Sequence, residues 1–308
     1  MKVHLGIEEF EKLKNAVVTS GTFDGVHIGH QKILNRVAEL CKIQDSESVL
    51  ITFHPHPRSV IQGIRNLHLL STIDEKIELL EKTGLAHLLI IPFNREFSEL
   101  SSEEFIQKIL VDTIGTGTLV IGYDHRFGKN REGSFEYLKE NSANYGFKVE
   151  EISRQDLENI GISSSKTRNA LLEGDVCLAH EYLGRAYQLS GTVVKGKQIG
   201  RTIGFPTANI QVSESEKLIP ANGVYAVTVN YGTSLFGGVL NIGNRPTVDG
   251  VLRTIEVNIF DFDKEIYGEK LTVNFVKRIR SEVKFGGLDE LKAQIAKDKI
   301  EAIQILKT

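Results

Sequence analysis

The chain has only two cysteines in 308 residues, Cys41 and Cys177, far apart and without metal-ligand spacing. That excludes a disulfide framework and a cysteine zinc site, and predicts two reduced thiols in a cytoplasmic protein. No run approaches about 18 uninterrupted apolar residues, so a helical membrane span is not expected. The opening stretch MKVHLGIEEFEKLK lacks the apolar core of a secretory signal. Charge of one sign is also scarce: the net charge is -3, with no basic–aromatic array, which argues against a nucleic-acid footprint but not against a small anionic ligand. There is no internal repeat, no low-complexity linker and no GxxxxGK[ST] phosphate loop, so a P-loop kinase is excluded. What remains is a globular composition, 41% apolar and 25% charged, long enough for two domains.

The two halves have different periods. Ala16–Val18, Val49–Phe53, Leu88–Ile91 and Leu119–Ile121 are short apolar runs of strand length. Helical patterns at Gln31–Leu40, Ile73–Thr83, Ser102–Asp112 and Ser134–Tyr145 separate them, as in a parallel sheet covered on both faces. Ligands of such sheets bind beyond the carboxyl ends of the strands, where GTFDG, FHPHP, IPFNR and GYDHRFG fall. After Gly184 come strand-like runs at Leu189–Lys195, Gly223–Tyr231, Leu235–Ile242, Thr254–Phe262 and Leu271–Ile279, with glycine-rich turns. Tyr225, Val227 and Val229 would share one face, which reads as a small antiparallel barrel. Leu288–Leu306 is one amphipathic helix suited to covering it. The expected class is α/β, with a Rossmann-like domain over 1–184 and a barrel domain with its terminal helix over 185–308.

The densest chemistry lies in Gly21–His30, GTFDGVHIGH. Gly21, Gly25 and Gly29 permit a tight turn or close ligand approach, and His27 and His30 are neighbours on one helix face. A helix N-terminus favours phosphate, and two imidazoles there can donate to phosphoryl oxygens. On spacing alone, a glycine turn carrying two structural histidines is the other reading. His54-Pro55-His56-Pro57 stiffens a loop and supplies too few ligands for a metal by itself. Arg126, Lys129 and Arg131 form a local basic loop, suited to phosphates or to solvent. Ser163 and Ser164 are suited to open a helix, with Arg168 one turn in and able to reach a phosphate. In the second half Gly191, Gly196, Gly200 and Gly204 space out a loop beside Lys195 and Lys197. Thr207 and Asn209 are hard oxygen donors two residues apart, compatible with magnesium; a turn stiffened by Pro206 and capped by Asn209 is the alternative. Glu256 alternates with Ile255 and Val257, so its carboxylate faces away from theirs.

Taken together, these segments resemble the bacterial bifunctional riboflavin kinase/FAD synthetase family. His27-Ile28-Gly29-His30 resembles the HxGH signature of nucleotidyltransferases; 122–128 is similar to the family's GxDFxFG segment, with His125 in place of the usual aromatic. Ser163–Arg168 resembles SSTxIR, Gly204–Asn209 is the flavokinase GFPTAN motif, and Asn241–Thr247 is similar to NxGxxPT. The resemblance implies an adenylyltransferase domain followed by a flavokinase domain, with ATP, riboflavin and FMN as small-molecule substrates, magnesium accompanying ATP, and no nucleic-acid or membrane partner. It implies catalytic roles for His27, His30, Arg168 and Glu256. It implies nucleotide or flavin contacts for Gly21, Phe23, Asp24, Gly29, Asn94, Asp124, Ser164, Gly191, Lys197, Gly204, Pro206, Thr207 and Asn209, with Thr207 and Asn209 also metal-facing. The competing expectations are a chain with one degenerate site, another HxGH nucleotidyltransferase, which leaves GFPTAN and Glu256 unexplained, and a flavin-sensing module without turnover.

Overall fold

A computed structural model describes residues 1–63, 67–122, 125–152, 161–196, 198–247 and 250–307. By internal contacts the chain divides into two compact units, Met1–Ser164 and Ser165–Thr308. The sequence-based division at 184/185 separates expected activities, whereas the contacts group two further helices with the second unit.

The first unit is a six-stranded parallel sheet. Its strands are β1 (Lys2–Leu5), β2 (Ala16–Ser20), β3 (Ser48–His54), β4 (His87–Pro92), β5 (Thr116–Gly122) and β6 (Lys148–Ile152). They run in the order β1-β4-β3-β2-β5-β6. Successive residues of β2 and β3 go to opposite faces: Val18, Val49 and Ile51 join a cluster with Ile106, Ile109 and Leu110, while Val17 and Leu50 join Ile33, Leu34, Val37 and Leu80. Period-two alternation therefore feeds two cores, and the strands read as continuous apolar runs. The helices that cover them are α1 (Ile28–Gln44), α2 (Pro57–Gln62), α3 (Ile73–Glu81), α4 (Arg95–Ser98), α5 (Ser102–Phe105, continuing as a π-helix over Ile106–Ile114) and α6 (Phe135–Tyr145). Strand order reverses between β2 and β5, which places the switch point beside GTFDG, the segment that follows β2.

In the second unit, α7 (Ser164–Glu173) and α8 (Val176–Leu183) precede a closed barrel. Its strands are β7 (Tyr187–Val194), β8 (Ala208–Gln211), β9 (Gly223–Tyr231), β10 (Ser234–Thr247), β11 (Gly250–Ile259) and β12 (Lys270–Arg280), with the short helix α9 (Ile199–Thr202) between β7 and β8. Every pairing is antiparallel, and the order is β10-β11-β8-β7-β12-β9. Tyr225, Val227 and Val229 are fully buried, as their shared face requires. Ala226, on the opposite face of β9, is buried as well, because the terminal helix α10 (Leu288–Lys307) brings Ala302, Ile303 and Leu306 against it. Gly237 admits that helix: a Cβ there would lie 3.1 Å from Leu306 Cδ1.

One ion pair fastens α10. Arg280 Nε and Nη2 donate to Asp298 at 2.9 and 2.7 Å, and Gln294 Nε2 donates to the same carboxylate at 2.8 Å. Asp298 is 3% exposed. Replacing Asp298 with alanine strands the Arg280 guanidinium, and should destabilise the barrel unit by about 3 kcal/mol, read as a lowered denaturation midpoint.

Candidate active sites

The turn after β2 owes its shape to buried polar contacts rather than to glycine alone. Phe23 and Val26 take left-handed φ values of 45° and 41°, and Gly25 has φ 77°. Non-glycine residues there are strained, and such strain persists only where surrounding contacts over-determine it. Those contacts come from the approach to α3. The Asp24 carboxylate, 2% exposed, accepts from Leu70 N at 2.9 Å and from Ser71 N at 3.2 Å. Gly25 N donates to Ser71 Oγ at 3.1 Å. Ser164 Oγ donates to the Asp24 carbonyl at 3.1 Å. Lys76 of α3 donates from Nζ to the Thr22 carbonyl at 2.7 Å, which also accepts from Thr52 Oγ1 at 3.2 Å.

This turn delivers an aromatic stack to the start of α1. Phe23, 2% exposed, stacks on His30 at 4.5 Å between centroids, and His30 stacks on His27 at 3.6 Å with 14° between planes. His27 caps α1: its Nδ1 accepts from His30 N at 3.3 Å. The neutral ring consequently carries its proton on Nε2, the nitrogen that can donate to a ligand. Gly29 makes room for this arrangement, since a Cβ would stand 3.1 Å from His27 Cε1; at Gly21 it would stand 3.2 Å from the Phe23 ring. Gly21, Phe23, Asp24, Gly29, His27, His30 and Ser164 thus gather in one structural knot. Within it, Phe23 and Asp24 shape the turn through their side chains.

Other expected residues are placed differently. Asn94 is exposed and caps α4, with Oδ1 accepting from Phe97 N at 2.7 Å. His56 caps α2, accepting from Arg58 N at 3.1 Å. Lys129 pairs with Glu99 at 2.7 Å, which holds its ammonium above its ordinary pKa through that hydrogen bond. Asp124 and Lys197 lie outside the described residues. Arg168 is half-buried on α7, with Nη1 donating to Ser165 Oγ at 3.4 Å, and groups by contacts with the second unit.

In the barrel, β8 runs beside β11 with Asn209 opposite Glu256. Thr207 Oγ1 donates to Glu256 Oε2 at 3.2 Å. Ile255 and Val257 are buried at 4% and 0%, while Glu256 and Asn209 keep intermediate exposure, so the alternation turns the carboxylate away from the core. Asn258 Nδ2 donates to the Pro206 carbonyl at 2.7 Å and so steadies the loop. Gly204, at φ 87°, has open space where a Cβ would sit. Gly196 has none: a Cβ would lie 2.3 Å from Asn209 Nδ2. Gly191 lies within β7, where a Cβ would meet the Gln211 carbonyl oxygen at 2.6 Å, so its lack of a side chain lets two strands approach. Among the described residues, no three His, Cys, Asp or Glu side chains gather as a metal site. The cluster of hydroxyl, amide and carboxylate oxygens at Thr207, Asn209 and Glu256 suits a hard cation that arrives with its own ligands.

A doubly wound sheet with imidazoles on a helix N-terminus at its switch point, followed by a barrel presenting a hydroxyl–carboxylate pair, defines a two-unit phosphate-transferring enzyme. Comparison with known proteins agrees. Residues 9–166 match the FAD synthetase family and residues 183–306 the riboflavin kinase family. The chain is 40% identical to a bifunctional riboflavin kinase/FMN adenylyltransferase of Buchnera aphidicola, covering 100% of this chain and 98% of that protein. It is 38% identical to the protein so described in Haemophilus influenzae, covering 93% and 92%. A solved structure described as a macrolide-efflux protein from Streptococcus pneumoniae has a TM-score of 0.86 and 29% identity, over 96% of this chain and 97% of that one. No helix among the described residues is long and apolar enough to cross a membrane. The chain belongs to the bifunctional riboflavin kinase/FMN adenylyltransferase family.

Sequence reasoning missed Lys76, Thr52, Ser71 and Asn258. The Thr72–Glu75 capping box, with Glu75 N donating to Thr72 Oγ1 at 3.2 Å, is readable as Thr-x-x-Glu, but nothing local marks the next residue as buried. Replacing Asp24 with alanine removes the carboxylate that accepts from the Leu70 and Ser71 amides. It should cost the first unit about 1–3 kcal/mol, read as a lower thermal midpoint for that unit with the barrel transition unchanged.

Proposed function

We propose that the chain phosphorylates riboflavin with ATP to give FMN in the domain over 185–308, and adenylylates FMN with ATP to give FAD and pyrophosphate in the domain over 1–184. The observation that carries this reading is that the His27–His30 stack and the Thr207–Glu256 pair lie in separate compact units, in segments matched by the FAD synthetase and riboflavin kinase families respectively.

In adenylyl transfer the FMN phosphate is already anionic. Its oxygen attacks the α-phosphorus of ATP, a new P–O bond forms, and pyrophosphate leaves. No deprotonation is needed, so catalysis consists of alignment and stabilisation of accumulating negative charge. His27, with its proton directed to Nε2, and His30, stacked on it, are assigned to the phosphoryl oxygens. The first-turn amides of α1 add their partial positive charge. Arg168 is assigned to the triphosphate on the strength of its planar guanidinium and its motif. Gly21 and Gly29 let ligand and rings approach. Phe23 and Asp24 support the turn, and Ser164 donates to the Asp24 carbonyl. Asn94 and Asp124 are assigned to flavin or adenine.

In the kinase step a primary alcohol must lose its proton. Glu256 is the general base for the 5′-hydroxyl of riboflavin, whose oxygen attacks the γ-phosphorus as ADP leaves. Thr207 orients that carboxylate by donating to Oε2. A hydroxyl that donates its proton keeps lone pairs to offer, so Thr207, with the Asn209 amide oxygen, would hold magnesium brought by ATP, which supplies charge neutralisation on the phosphates. Lys197, Gly204 and Pro206 complete the nucleotide loop in this reading, whereas Gly191, inside β7, serves the approach of two strands. Both cysteines are free, in keeping with a reducing, cytoplasmic setting.

Replacing His30 with alanine should abolish FAD formation and retain FMN formation. Equal loss of both products would sink the division of roles. Replacing Glu256 with glutamine should lower FMN formation by about 100-fold or more while sparing conversion of supplied FMN to FAD. Undiminished kinase activity would remove its assigned role. Chromatographic analysis of products from riboflavin and from FMN, with ATP and magnesium, reads both.

A further inference from the structure

Lys76 is a buried cation that neither reaction uses. It is 7% exposed, on the first turn of α3, and its Nζ donates to the Thr22 carbonyl at 2.7 Å and lies 3.5 Å from Thr52 Oγ1. Among the described residues no carboxylate pairs with it; Asp24, clamped on the backbone of Leu70 and Ser71, favours its charge only through space. An ammonium buried without a direct counter-ion costs stability, so its place calls for another explanation. Thr22 immediately precedes Phe23, whose strained backbone carries the ring that stacks on His30, which in turn stacks on His27. The lysine therefore grips the residue from which the imidazole stack is hung, and places one positive charge beneath the turn.

We propose that Lys76 is a positioning residue for adenylyl transfer: its ammonium, hydrogen-bonded to the Thr22 carbonyl, fixes the turn that carries His27 and His30 and biases it towards anions. The inference rests on the assignment of FAD formation to the first unit. Burial lowers the Lys76 pKa to about 8. The turn presents Asp24 to it and β3 presents the uncharged Thr52. Above about pH 8 the folded protein sheds the proton, whereas the unfolded chain keeps it up to about 10.5. The stability cost of the buried charge is then relieved as pH rises, because the unfolded state binds more protons over that interval. Positioning predicts that activity falls over the same interval. Activity and stability thus move in opposite directions, a pattern that a purely structural lysine would not produce.

The test uses the full chain, with Lys76→Met beside the native protein. FAD formation from FMN, ATP and magnesium is followed from pH 7 to 9.5, above the second ionisation of phosphate, with FMN formation from riboflavin as the internal reference. The native protein should lose adenylyl transfer through about pH 8. The variant should show a kcat lowered about tenfold or more without that alkaline limb, a KM for ATP changed far less, an unimpaired thermal midpoint and native FMN formation. A variant with native kcat, or a native protein whose FAD formation holds level to pH 9.5, overturns the proposal. The second result needs no variant and stands even where Lys76→Met fails to fold. Loss of FMN formation with FAD formation spared would instead overturn the assignment of the two reactions to the two units.

Discussion

The Asp24 carboxylate closes on the backbone amides of Leu70 and Ser71, and the first site depends on that clamp. A turn with left-handed phenylalanine and valine does not persist by local preference. It persists because a segment some 46 residues further along the chain supplies donors that the carboxylate satisfies in a buried setting, where an unpaired charge would be costly. The glycines have a complementary part. Gly25 supplies the turn's own left-handed step, and Gly29 leaves the space in which the His27 ring lies flat against its neighbour. Geometry established by buried hydrogen bonds thus sets two stacked imidazoles at the start of α1, with the His27 proton directed to Nε2.

The barrel solves the same problem with strands. Antiparallel register sets Asn209 beside Glu256, and alternation turns the carboxylate outwards while Ile255 and Val257 fill the interior. The loop before β8 is held by side chains of β11: Glu256 accepts from Thr207 and Asn258 donates to Pro206. Closed barrels leave no sheet edge, and Glu256 and Asn209 are carried on paired strands of this one rather than on a long free loop. The terminal helix stiffens the far side through Asp298 and Arg280.

Much of this was legible in the sequence, for reasons that are local. Apolar runs buried on both faces revealed β2 to β5, and strand-like runs between glycine-rich turns, with alternation clearest at Tyr225, Val227 and Val229, revealed β7 and β9 to β12. The terminal helix followed from its amphipathic pattern. The strands that escaped were β1, β6 and β8. The first two are edge strands: in KVHL the polar His4 is buried and Leu5 exposed, and in KVEEI two half-buried glutamates interrupt the apolar run, so neither shows the expected pattern. The third is four residues long and hidden behind GFPT, where proline and glycine signal a turn. Among candidate site residues, His27, His30, Thr207 and Glu256 stood out because their chemistry is written in short motifs. The clamp of Asp24, the capping by Asn94 and the burial of Lys76 were not, since each depends on what folding brings opposite the side chain. Gly191 is the instructive case: glycine spacing suggested a phosphate loop, and its place in the structure is the close passage of β7 over β8.

The central claim is that two different phosphorus atoms of ATP are attacked in one chain, the γ-phosphorus in the barrel and the α-phosphorus in the parallel-sheet unit. Isotopic labelling reads this directly. With riboflavin as the starting flavin, label in the γ-phosphate of ATP should enter FMN and be carried into FAD. Label in the α-phosphate should enter FAD and be absent from FMN. An FMN without γ-label, or an FAD without α-label, would contradict the account.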